Sequence, residues 1–173
     1  IANIVRSVYI VLLIPVNSLS TATNTFVSNS IGAGYKNQVI PIIRKISKIS
    51  LGIMAVFVCI ACFFPSTILS VYTNDTSLIQ ASIPSLYVIS GALLIAAVAN
   101  IVFNGVTGTG NTRSAFAIEI VVLVFYTLFI YVAGMRLGLP VAICFLTEVI
   151  YYTGLLVASV IYLKKAAWQN KKI

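Results

Sequence analysis

Apolar residues run along this chain in five long blocks, parted by short stretches rich in glycine, proline and polar side chains. A helix that crosses a bilayer needs about 20 mostly apolar residues. The five blocks therefore predict transmembrane helices over about 3–31, 39–64, 78–106, 114–133 and 140–163, within a single helical domain spanning 1–173. No block alternates with period two, so the expected fold class is an all-α membrane protein, a bundle of five transmembrane helices.

The breaks contain residues suited to ending and starting helices. "GAGYKNQ" (32–38) closes the first helix with glycines that can take positive φ. Pro41 falls in the first turn of the second helix, where a missing N–H does no harm. Pro65 ends that helix. In the polar loop "SVYTNDTS" that follows, Asn74 or Asp75 can cap the third. "GMRLGLP" (134–140) links the fourth and fifth.

The remaining break, "FNGVTGTGNTRSAF" (103–116), could be mistaken for a phosphate loop. A dinucleotide loop needs a strand before it, and a Walker loop needs a lysine that is missing here. The simpler assignment is a turn between membrane helices. Gly108 and Gly110 permit the turn, Asn111 or Thr112 caps the next helix, and Arg113 sits at headgroup level.

Composition supports a lipid environment. Hydrophobic residues make up 60% of the 173 and charged residues 8%, where soluble domains carry about 25% charged. The net charge of +8 is divided unevenly. Lys36, Arg44, Lys45, Lys48, Arg113, Lys164, Lys165, Lys171 and Lys172 fall at one end of an alternating five-helix bundle, and Arg6 and Arg136 at the other. By the positive-inside rule the first end is cytoplasmic. That predicts a multi-pass protein of the cytoplasmic (inner) membrane with a cytoplasmic tail over 164–173. Tyr162 and Trp168 are expected as interface anchors. Basic residues are not interleaved with aromatics, so no nucleic-acid partner is expected. There is no histidine, and Cys59 and Cys62, although spaced C-x-x-C, fall inside an apolar run and are taken as packing residues. No metal site and no cofactor are expected. The chain opens on Ile1 and not Met, without a basic leader, which predicts that it continues upstream.

Two of the breaks carry a resemblance. "NGVTGTGNTR" resembles the G-x-G-[DN]-T-[RK] turn that closes the fourth helix of each lobe in the multidrug and toxic compound extrusion (MATE) family. "STATNTFVSNSIGAGYKNQ" resembles the second helix of a lobe with its G-A-G turn. Two helices separate the turns and two follow, as in that family. The resemblance implies that the five helices are the eighth to twelfth of twelve, with the seventh helix and an N-terminal lobe as partners in the same chain. It also implies export of organic cations or drugs by antiport with Na⁺ or H⁺ as coupling ion. Several members carry an acid within the helix matching the third one here, which has none between Asp75 and Arg113.

Polar side chains within spans are costly and therefore informative. Asn17, Thr21, Asn24 and Ser28 share one face of the first helix, as close-packing residues or as the wall of a watery cavity. Asn100 and Asn104, spaced by four, are assigned mainly to packing. Glu119 and Glu148 lie inside apolar runs, about 9 and 12 Å from opposite ends of their helices. They are expected as two separate stations. Glu119 could pair with Arg44, Lys45 or Lys48, whereas Glu148 has no cation at its depth. A buried carboxylate can bind a proton. Tyr126, Tyr151 and Tyr152 add hydroxyls and π faces suited to a lipophilic cation. The candidate substrate and ion ligands are thus Glu148, Glu119, Asn17, Thr21, Asn24, Tyr126, Tyr151 and Tyr152.

Three alternatives compete with a drug/cation antiporter. A lipid-linked oligosaccharide flippase would need basic residues deep in the helices, and Arg6 alone is a candidate. A membrane enzyme would need a His cluster, H-E-x-x-H or paired aspartates. A structural subunit has no use for two intramembrane glutamates.

Overall fold

The computed structural model describes residues 1–136, 138, 140–165 and 168. Nine-tenths of the chain is helical, and the described residues contain five helices long and apolar enough to cross a membrane. In chain order these are α1 (Ala2–Gly32), α2 (Val39–Phe63, preceded by a 3-10 turn at Lys36–Gln38), the short α3 (Pro65–Ser70), α4 (Thr76–Gly108) and α5 (Thr112–Ile130, continuing as a π turn over Tyr131–Arg136). The last span is broken into α6 (Val141–Cys144) and α7 (Leu146–Lys164). Within the predicted tail, Lys171 and Lys172 lie outside the described residues.

α4 is apolar on every side, and such a helix belongs at the centre of a bundle. It packs against α1, α2 and α7 and buries Leu86, Ile89, Leu93 and Ile101 completely. Ala92, Ala96 and Ala99 let its neighbours approach closely. By contrast, α5 packs mainly on α7 and turns Phe116, Val124, Phe125 and Leu128 outward. In lipid that face needs no cover.

The buried clusters show which helix ends meet. Val27 and Ile31 of α1, Val39 and Ile43 of α2, Val106 of α4 and Leu163 of α7 form one cluster. Val5, Val8, Leu69, Ile79 and Leu86 form another, with Phe145 against it. The spans therefore alternate in direction. The first cluster marks the end that gathers the basic residues, and the second marks the opposite end.

The turns follow the expected chemistry with two refinements. Gly34 and Gly110 take positive φ. Asp75 caps α4, accepting from the Ser77 and Leu78 amides at 2.8 and 3.4 Å and from the Ser77 hydroxyl at 2.6 Å. These bonds, the Ser77 hydroxyl first, hold its carboxyl below the usual range. Asn111 caps α5 through the Ser114 amide at 3.4 Å. The first refinement is at Pro65, which ends α2 and also starts α3, because a first helical position needs no N–H. The second is at Gly108, which stays helical: a Cβ there would lie 2.9 Å from the Asn24 carbonyl and from Val27 Cβ. That glycine is required by the α1–α4 contact.

Trp168 is a correction. It is only 3% exposed, and its indole donates to the Leu163 carbonyl at 3.2 Å, so it closes the basic-end core and is not an interface anchor. Tyr162 likewise ties α7 to the glycine turn, accepting from the Asn111 amide at 2.9 Å.

Candidate functional site

At the end opposite the basic turns, α1, α5, α6 and α7 enclose a cavity of about 420 Å³. Its polar lining comes from Asn3, Arg6, Tyr9, Tyr126, Thr147 and Glu148. The break between α6 and α7 shapes it. α7 starts afresh after Phe145, which puts Glu148 in its first turn, and the Thr147 hydroxyl bonds back to the Cys144 carbonyl. In the first turn, the positive end of the helix dipole favours its negative charge.

Glu148 is half-buried and accepts two tyrosine hydroxyls from two other helices. Tyr9 of α1 donates to Oε2 at 3.0 Å, and Tyr126 of α5 donates to Oε1 at 3.4 Å. The Tyr9 and Tyr152 hydroxyls are 2.5 Å apart. Tyr9 has one proton and gives it to Glu148, so Tyr152 donates to Tyr9. Asn100 of α4 lies beside Tyr152. The side chains thus form a directed chain, Tyr152 to Tyr9 to the Glu148 carboxyl oxygen. Protonating Glu148 would turn it into a donor and force that chain to reorganise.

Glu119 is reached from the same aromatic group. Tyr151 donates to Glu119 Oε1 at 3.4 Å. Its ring packs edge-on against Tyr126 and Tyr152, with centroids 5.8 and 5.1 Å apart. The two glutamates are therefore bridged by tyrosines and are not isolated stations. The pairing of Glu119 with Arg44, Lys45 or Lys48 does not form, because α2 packs on α1 and α4 and not on the helix of Glu119. A second correction concerns Glu148: Arg6 lines the same cavity, and its charge reaches the Tyr126 hydroxyl.

The polar face of α1 is not part of this cluster. Asn24 and Ser28 bind α4, through the Thr107 hydroxyl at 3.0 Å and the Gly108 carbonyl at 3.1 Å, so close packing accounts for them. Asn17 and Thr21 are exposed, and the Thr21 hydroxyl bonds the Asn17 carbonyl at 3.1 Å. Asn3 and Arg6 fall on the same side of α1 near the cavity, separated from Asn17 by the exposed Ile10 and Ile14. Sequence reasoning gathered Glu148, Tyr126, Tyr151 and Tyr152 and missed Tyr9. A lone tyrosine in an apolar run carries no periodic signal. Arg6, one turn before it, was the available clue.

The sequence profile of MatE matches residues 1–132. The chain belongs to the MatE family. The match takes in α1 to α5, including both glycine turns and the α1 and α5 contributions to the cavity. MatE proteins are transporters, and with five spanning helices this one is an integral, multi-pass membrane protein. No curated protein and no solved structure matches the chain.

Proposed function

We propose that this MatE chain forms most of one lobe of a secondary antiporter that exports organic cations or drugs in exchange for H⁺ or Na⁺ by alternating access. The observation that carries the proposal is Glu148, held by Tyr9 and Tyr126 in a cavity walled by aromatic rings. An ionised carboxylate among π faces suits a lipophilic cation. The same carboxylate can instead take a proton, or hold Na⁺ together with hydroxyl oxygens, so that cation and coupling ion compete for one site. The exposed stripe of Asn17 and Thr21 supports the reading, since such a face calls for water or protein and not lipid. Arg6 is the one cation in that lining, short of the several basic residues that an anionic lipid phosphate would call for.

Binding tests this directly. A fluorescent lipophilic cation should bind the purified transporter and be displaced by acid or by Na⁺, and a neutral analogue of equal size should bind more weakly. Equal binding of the two probes, indifferent to pH and Na⁺, would remove the carboxylate from the mechanism.

We infer further that the basic end faces the cytoplasm, with the C-terminus on that side, from the nine-to-two division of Lys and Arg. Cysteine placed at Asp75 should react with an impermeant reagent from outside, and cysteine at Asn37 or Asn111 only from inside. Labelling of positions 37 and 75 from the same side would contradict this topology.

A further inference from the structure

A second depression lies at the other end of the bundle, where α2, α4 and α7 meet. It measures about 280 Å³. Its floor is apolar, built from Ile43, Val98, Val102, Leu156 and Val160. Arg44 and Lys164 stand at its rim. Arg44 also borders an adjoining groove along α2 with Lys45 and Lys48. Two cations thus border the apolar trough itself, and two more, Lys45 and Lys48, lie on the neighbouring surface of α2.

Among the described residues no acid side chain balances them. The chain's three acids are Asp75, Glu119 and Glu148. Asp75 caps α4 at the far end, Glu148 lies in the far cavity, and Glu119 is held by Tyr151 on the α5 side. The first turn of α2 holds no acid, and Arg44 and Lys45 come just after it. The positive end of the α2 dipole therefore adds to the same field.

An independent observation comes from Ser47, which lines the trough. It is 8% exposed, and its hydroxyl is buried without a hydrogen-bond partner. A buried, unsatisfied hydroxyl is destabilising. Ser20, Ser50, Ser90 and Ser159 share that state, and of the five Ser47 is the one that lines the trough.

We propose that this trough binds an anionic phospholipid of the surrounding bilayer. An acyl chain lies along the apolar floor, the phosphate sits between Arg44 and Lys164, and the Ser47 hydroxyl donates to a phosphate or glycerol-ester oxygen. Basic pockets between spanning helices are suited to such headgroups. At about 280 Å³ the trough is smaller than cavities that enclose a whole drug-sized ligand. It suits one chain lying lengthwise with its headgroup outside.

The test uses the intact transporter in phosphatidylcholine nanodiscs, with and without phosphatidylglycerol. Retained lipid is counted by native mass spectrometry, and stability is followed by thermal unfolding. Phosphatidylglycerol should be retained and should raise the unfolding temperature. Arg44→Gln and Lys164→Gln should each weaken its binding about fivefold. Ser47→Ala should lower phosphatidylglycerol retention while leaving stability in pure phosphatidylcholine unchanged or higher, since it removes an unsatisfied hydroxyl. Arg113→Gln, at the same end but outside the trough, should leave retention unchanged. If Arg44→Gln fails to fold, Lys164→Gln and Ser47→Ala still decide the matter. An equal loss with Arg113→Gln would mean unspecific surface attraction. Stabilisation by inorganic phosphate in pure phosphatidylcholine would mean a soluble anion site. Either result, or no preference for phosphatidylglycerol, overturns the proposal.

Discussion

Glu148→Gln in the intact transporter should keep expression and fold while reducing ion-driven efflux to the level of empty vesicles. Stability survives because two terms oppose each other. The substitution removes a half-buried charge, which is costly to hold within a span, and it weakens the hydrogen bonds from Tyr9 and Tyr126. The Gln carbonyl can still accept from Tyr9 or Tyr126, so the cavity keeps its shape. Coupling cannot survive, because an amide neither takes up a proton nor balances a cation. Glu119→Gln should cost less transport, since Glu119 lies outside the cavity lining and holds one tyrosine bond at 3.4 Å. Vesicle efflux driven by a pH or Na⁺ gradient distinguishes the two variants. Full transport by Glu148→Gln, with unchanged pH and Na⁺ dependence, would reduce this carboxylate to a packing residue.

The largest loss of stability from a single methyl group is expected at Gly108→Ala. A Cβ there would stand 2.9 Å from the Asn24 carbonyl, which belongs to helical backbone and cannot step aside. α1 and α4 would have to separate, straining the Asn24–Thr107 and Ser28–Gly108 bonds. Overpacking of this kind costs about 1–3 kcal/mol. Gly105→Ala is the informative comparison. Its added Cβ would come closer still, 2.4 Å from a neighbour, but that neighbour is the tip of the Ile43 side chain, which can change rotamer. Gly91→Ala meets nothing within 4 Å and should be neutral or slightly stabilising. Thermal unfolding in detergent should rank the variants Gly91→Ala, Gly105→Ala, Gly108→Ala in order of falling stability. Wild-type stability in Gly108→Ala would show that the α1–α4 contact is looser than it is drawn here.

Much of the architecture could be read from the chain because its signals are local. A run of apolar residues must span lipid wherever its neighbours lie, so the five helices fall within a few residues of their expected bounds. Asp75 and Asn111 act through bonds that close within one turn, Pro41 sits where no N–H is needed, and the helix boundaries follow from them. Alternation of five spans then carries Lys36, Arg44, Lys45, Lys48, Arg113, Lys164 and Lys165 to one end. The resemblance carried by the two glycine turns is likewise a matter of order and spacing.

Only the tertiary structure decided which side chains share a site, because that depends on distances no linear spacing contains. Tyr9 and Glu148 are 139 residues apart and meet at 3.0 Å. The sequence offered Glu119 the cations Arg44, Lys45 and Lys48, but α2 packs on α1 and α4 whereas α5 packs on α7, which brings Glu119 to Tyr151 instead. The same folding split one polar face of α1 into two roles, with Asn24 bound to α4 and Asn17 left outside. It also drew Trp168 into the core. Hydropathy states how much a helix must hide, but in lipid an apolar face needs no partner. Helix order in the bundle is set instead by where small residues such as Gly108 allow backbones to touch.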